Sequence, residues 1–94
     1  MQNKKSKIKM KVKLLYFAKI KELVGLDNET IDLPAHVLTL DELKNYLILR
    51  GAPWNEIFLS QNGTRCALNQ NLMHSNFNIE AGSEVAFFPP ITGG

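Results

Sequence analysis

The sequence predicts an α+β roll, a mixed sheet of about five strands with one long helix across one face and one short helix beside it. Three observations carry this prediction. Apolar residues alternate with lysines near the start, a capped amphipathic helix lies in the middle, and short strand patterns separated by turn signals fill the last third.

Ile8, Met10, Val12 and Leu14 alternate with Lys9, Lys11 and Lys13. A period of two marks a half-buried strand with a wetted lysine face. Firm structure is expected from about Lys11, with Tyr16-Phe17 closing the strand. Phe17, Ile20 and Val24 then recur at helical spacing, so 18–24 reads as a short amphipathic helix stopped by Gly25. Thr30 to Leu33 reads as a second strand ended by Pro34. The strongest helix signal runs from Thr39 to Arg50. Thr39 and Glu42 form a T-x-x-E capping box, and Leu40, Leu43 and Leu47, joined by Tyr46, make one apolar stripe. Arg50 suits the negative end of the helix dipole, Gly51 suits a left-handed terminator, and Pro53 blocks continuation. Trp54 to Leu59 fits either a helical turn or a strand. Asn62-Gly63 signals a turn. Thr64 to Leu68 reads as a strand, Leu72-Met73 as a very short one, Ala81-Gly82 as a turn and Glu84 to Phe88 as the last strand. This order, with the long helix covering one face of the sheet, is a roll of the β-grasp kind.

Ninety-four residues make one domain with a modest core. The apolar share of 45% and charged share of 21% are those of a globular chain. The uncharged closing stretch, 85–94, is too short to span a membrane, and no long apolar run follows the basic start as a secretory signal requires. Cys66 is the single cysteine, so no internal disulfide can form, which fits a reducing compartment; the cytoplasm is the expected location. The net charge of +2 is unevenly spread. Residues 1–9 hold four lysines and no acid, and without them seven basic residues face nine acidic ones. The remainder is mildly acidic and does not favour nucleic acid as a partner. Residues 1–10 read as a basic, flexible leader, either a natural extension or sequence ahead of a start at Met10, and 11–94 as the domain.

The unusual feature is the ending, Val85-Ala86-Phe87-Phe88-Pro89-Pro90-Ile91-Thr92-Gly93-Gly94. If Val85 and Phe87 point inward, Phe88 points outward as a contact for a partner protein; the two adjacent phenylalanines leave the reverse phase open. Pro89 and Pro90 end the ladder and stiffen an extended tail over 89–94. Gly93 and Gly94 carry no side chain and can enter a channel too narrow for other residues. The terminal carboxylate is ionised at neutral pH and is a poor electrophile. Adenylation would activate it, and a sulfur donor displacing AMP would leave a thiocarboxylate. Nothing in that sequence of events needs a catalytic side chain in this chain. A chance diglycine on an ordinary terminus is the competing reading.

The stretch 84–94 resembles, almost residue for residue, the closing signature of the molybdopterin synthase small subunits. Tyr16-Phe17-Ala18-Lys19-Ile20-Lys21-Glu22-Leu23-Val24-Gly25, and Ala67-Leu68-Asn69-Gln70 followed by Leu72, are similar to the same family. The resemblance covers about 11–94. It implies a ubiquitin-like fold and a sulfur carrier that is not catalytic by itself and holds no cofactor. An E1-like partner enzyme would spend ATP to adenylate Gly94, and a sulfurtransferase or desulfurase would supply the sulfur for the thiocarboxylate. The tail, Pro89, Pro90, Ile91, Thr92 and Gly93, would then enter the large subunit of a heterotetramer and deliver sulfur to cyclic pyranopterin monophosphate. Phe88, Leu72 and Lys21 stand at positions that meet partners in the family.

The remaining polar residues have plainer readings. Cys66, in an apolar strand, reads as a small core residue, with a sulfur relay as the alternative. His36 and His74 lack the neighbours of a zinc site, and no metal is expected. Asp41 and Glu42 favour the helix dipole rather than acid-base work. Trp54 reads as core packing, and no glycine-rich phosphate loop is present. Three other functions stay open: a carrier or protein modifier for a different pathway such as thiamine synthesis or thiolation, a β-grasp interaction module with an inert tail, and nucleic-acid binding through the leader.

Overall fold

The computed structural model describes residues 10–59 and 63–90. Expectations falling on residues 1–9, on Asn62 and on Ile91, Thr92, Gly93 and Gly94 lie outside the described residues. Lysine alternation yields strand β1 (Met10–Tyr16), with Val12, Leu14 and Tyr16 buried and Lys11 and Lys13 exposed. Helix α1 (Ala18–Val24) follows and ends on Gly25, whose φ of 86° explains the glycine. Strand β2 (Asn28–Leu33) begins two residues before the expected Thr30, because its antiparallel register with β1 continues through Leu14↔Glu29 and Leu15↔Asn28.

Helix α2 (Leu40–Ile48) is capped as its sequence indicates. The Thr39 hydroxyl accepts the Glu42 N–H (3.2 Å) while the Glu42 carboxylate accepts the N–H groups of Thr39 (3.1 Å) and Leu38 (2.8 Å). These bonds, the Leu38 N–H foremost, hold the Glu42 carboxyl below the usual carboxylate range. The helix closes earlier than Arg50. The Arg50 and Gly51 N–H groups bond three residues back, to Leu47 and Ile48, which tightens the last turn. Arg50 therefore leaves the helix and does not serve its dipole as expected. Trp54–Leu59 resolves as a third helix, α3, with Trp54 and Ile57 buried one turn apart, so the described residues hold three helices rather than the expected two.

Strands β3 (Arg65–Leu68), β4 (Asn71–Met73) and β5 (Glu84–Phe88) complete one sheet in the order β2-β1-β5-β3-β4. Among the described strands only the central β1·β5 pair is parallel; the rest are antiparallel. That mixed order is the β-grasp arrangement anticipated from the pattern. Asn69 and Gln70 make the two-residue β3–β4 turn with φ of 50° and 73°, the signs of a type I′ turn. Asn69 also clamps β5: its N–H donates to the Glu84 carbonyl (2.8 Å) and its side-chain oxygen accepts the Glu84 N–H (2.9 Å). The core lies between one sheet face and the helices, around the fully buried Leu14, Leu33, Leu43, Leu47, Val85 and Phe87. Among the described residues no helix is long and apolar enough to cross a membrane.

Candidate functional site: the exit of the C-terminal tail

Pairing register decides which side of β5 faces which neighbour. Tyr16↔Phe87 and Phe87↔Cys66 place those three side chains on the helix-covered face, with Phe87 and Val85 fully buried. Phe88 consequently lies on the open face. This is the first of the two phases allowed by the sequence, although Phe88 is half-buried rather than fully exposed. β5 stops at Phe88, where Pro89 and Pro90 take over without entering the ladder.

On the open face one row of cross-strand neighbours runs Leu15, Ala86, Ala67, Leu72 over four strands. Two small alanines in the middle, with a leucine at each end, give a shallow apolar saucer bordered by Phe88. Leu72 is 53% exposed. It sits two strands across from β5, roughly 10 Å away. Phe88 and Leu72 are thus brought to one surface. Lys21 is not part of that surface. It lies on α1, one turn after Phe17, and lines a separate shallow cleft with Glu22, Leu26 and Asp27. α1 nonetheless packs against β5, beside the point where the tail departs.

Phe17 closes the strand as its sequence indicates, and its helical spacing with Ile20 and Val24 does not bury it: it is 48% exposed. Its N–H donates to the Phe87 carbonyl (3.1 Å), so Phe17 continues the β1 alternation beside Phe88. The outward series Lys11, Lys13, Leu15, Phe17 carries that signal beside the competing helical period.

Behind the exit lies a polar chain with no sequence motif. The Tyr16 hydroxyl donates to Glu29 (2.6 Å), and the Arg50 guanidinium donates to both Glu29 oxygens (2.9 and 3.3 Å) while lying 5.1 Å from the Trp54 ring. Burial pushes the Tyr16 phenol far up, and the Glu29 carboxylate adds to the rise. Burial alone would also raise Glu29, but the Arg50 and Tyr16 hydrogen bonds and the guanidinium charge outweigh it and hold the carboxyl below its ordinary 4.5. A depressed carboxyl contributes stability above its unfolded value and loses that contribution as pH falls through the folded value. Glu29→Gln should therefore cost about 1–2 kcal/mol at neutral pH, discounted for partial exposure. The gap to the parent should narrow as pH falls through the depressed folded value and the carboxyl is protonated. Urea unfolding across this range checks it; a gap independent of pH would contradict it.

Cys66 lies on the covered face at 3% exposure, and burial pushes its thiol up to about 11. A protonated, enclosed thiol is a packing residue, not a nucleophile.

The ThiS family model matches residues 14–94. A molybdopterin synthase sulfur carrier subunit of Escherichia coli is 35% identical over 83 residues, covering 88% of this chain and 99% of that protein. Among solved structures, a putative molybdopterin converting factor subunit 1 from Pyrococcus furiosus superposes with a TM-score of 0.70 at 26% identity, covering 87% of this chain and 99% of that one. A protein-protein complex of subunits 1 and 2 of molybdopterin-converting factor from Helicobacter pylori contains a chain matched at TM-score 0.60 and 27% identity, covering 90% of this chain and all of that one.

Proposed function

This chain belongs to the ThiS family, and from that membership we propose that it is the sulfur-carrier subunit of a molybdopterin synthase. The observation that carries the reading is the tail exit. A strand with a buried centre ends at the half-buried Phe88 beside an apolar row on the open face, and Pro89-Pro90 lead into Ile91-Thr92-Gly93-Gly94, all inside the span matched by the family model. The Gly94 carboxylate attacks the α-phosphate of ATP on an E1-like partner, releasing pyrophosphate. Sulfide supplied by a sulfurtransferase or desulfurase displaces AMP from the acyl-adenylate and leaves the thiocarboxylate. The loaded tail then enters the large subunit and gives its sulfur to cyclic pyranopterin monophosphate; water returns the carboxylate. This chain contributes the delivered group and the docking surface, and its partners contribute the catalytic side chains.

The saucer of Leu15, Ala86, Ala67 and Leu72, with Phe88 and Phe17 beside the exit, is the surface on which the large subunit seats. Lys21, in the separate cleft on α1, would meet the partner only outside this saucer. The complex of subunits 1 and 2 from Helicobacter pylori supports a large-subunit partner, and two copies of each subunit would make the heterotetramer of this proposal. Phe88→Ala should weaken binding to the large subunit by about 1–3 kcal/mol, read by calorimetric titration. Unchanged affinity would remove Phe88 from the interface.

Complementation tests the pathway. The chain should restore molybdoenzyme activity to cells lacking their own synthase carrier and should not restore growth to a thiamine auxotroph lacking its carrier. The opposite pattern would assign the chain to thiamine synthesis.

A further inference from the structure

Phe87 is the last inward side chain before the two prolines, and aromatic rings grip it. Tyr16 stacks on it, with centroids 6.2 Å apart and planes at 14°, and Phe58 meets it edge-on at 5.1 Å. Trp54 closes the group, 5.5 Å from Tyr16 and 6.2 Å from Phe58. Trp54 and Phe58 both come from α3, a six-residue helix too short to hold itself together. The polar chain supplies an anchor. Arg50, just ahead of α3, forks onto Glu29 of β2 and covers Trp54, while the Tyr16 hydroxyl ties the same carboxylate to β1. Three elements are thereby joined around the final β1·β5 pair, Tyr16↔Phe87, immediately before the chain leaves the sheet.

We infer that Glu29 and Arg50 are positioning residues that hold the α3 aromatic rings against Phe87 and so fix where the tail leaves the domain. The fork is specific to arginine on carboxylate, since a lysine supplies the charge but not the two parallel donors. The inference rests on the carrier reading in one respect, that partner enzymes capture this tail. A loosely held exit would raise the ordering cost of capture without altering the chemistry at the terminus.

Amide hydrogen exchange on the full chain tests the socket independently of function. The Phe17 N–H, bonded to the Phe87 carbonyl, reports the exit, and the Leu43 N–H, bonded to Thr39 (2.9 Å), reports α2. In Arg50→Met, which keeps the stem and loses the fork, Phe17 should exchange about tenfold faster while Leu43 stays within about twofold. Arg50→Lys should fall between, and Tyr16→Phe, which removes one hydroxyl, supplies a milder variant if Arg50→Met does not fold. Equal acceleration at both amides, or none, overturns the inference. With the activating enzyme, KM for Arg50→Met should rise about three- to tenfold at nearly constant kcat. Faster Phe17 exchange with an unchanged KM would overturn the role in capture. Failure of the parent chain to load at all would instead count against the carrier reading, leaving the exchange comparison to decide the socket.

Discussion

A chain lacking Gly93 and Gly94 should fold as well as the full chain and accept no sulfur. Every buried core residue among those described lies between Val12 and Phe87, so removal of the last two residues subtracts nothing from that core. The melting temperature should stay within about 1 °C of the parent. The chemical consequence is of another order. Two residues of extended chain reach about 7 Å, so the carboxylate would stop well short of any active site built to receive it. It would also sit on Thr92, whose branched side chain does not fit a passage shaped for glycine. Displacements of about 1 Å already cost near a hundredfold in enzymes, so loading and sulfur delivery should fall by more than about a hundredfold. Thermal melting and a loading assay on the same preparation check both halves. Substantial loading of the shortened chain would remove the diglycine from the chemistry.

Phe87→Ala should be among the most damaging core substitutions. The ring is fully buried, contacts Tyr16 and Phe58, and belongs to the central strand that pairs on both sides. Removing a buried phenylalanine costs about 3–5 kcal/mol through lost transfer energy and the cavity left behind. Small domains have only about 5–15 kcal/mol in total. A melting temperature lower by about 15–30 °C follows for a chain of this size. Trp54, the single tryptophan, lies within the same aromatic group and gives a fluorescence signal for urea unfolding. Phe87→Leu, which keeps much of the volume, should recover most of the loss. A cost below about 1 kcal/mol for the alanine variant would contradict the packing described here.

The features that sequence made legible are local ones. The lysine alternation placed β1, the Thr39–Glu42 box placed the start of α2, and Phe-Phe-Pro-Pro placed the end of β5, because each depends on residues within a few positions of one another. Trp54–Leu59 was ambiguous because six residues are too few to separate helical from strand periodicity. At Phe17 two periods overlap at a strand–helix junction, and the fold shows that the strand period sets the direction of its side chain. The Tyr16–Glu29–Arg50 chain joins residues 13 and 21 positions apart and has no motif; only the folded register brings it together. The same holds for the saucer, since Leu15, Ala67, Ala86 and Leu72 become neighbours only through the order β1-β5-β3-β4.

Intact-mass spectrometry of the full chain, after incubation with its activating enzyme, ATP and a sulfur donor, puts the carrier role to the most direct test. The terminal carboxylate should exchange one oxygen for sulfur, a gain of about 16 Da that fragmentation assigns to Gly94. An unchanged mass, under conditions that load an authentic carrier, would contradict the role proposed for this chain.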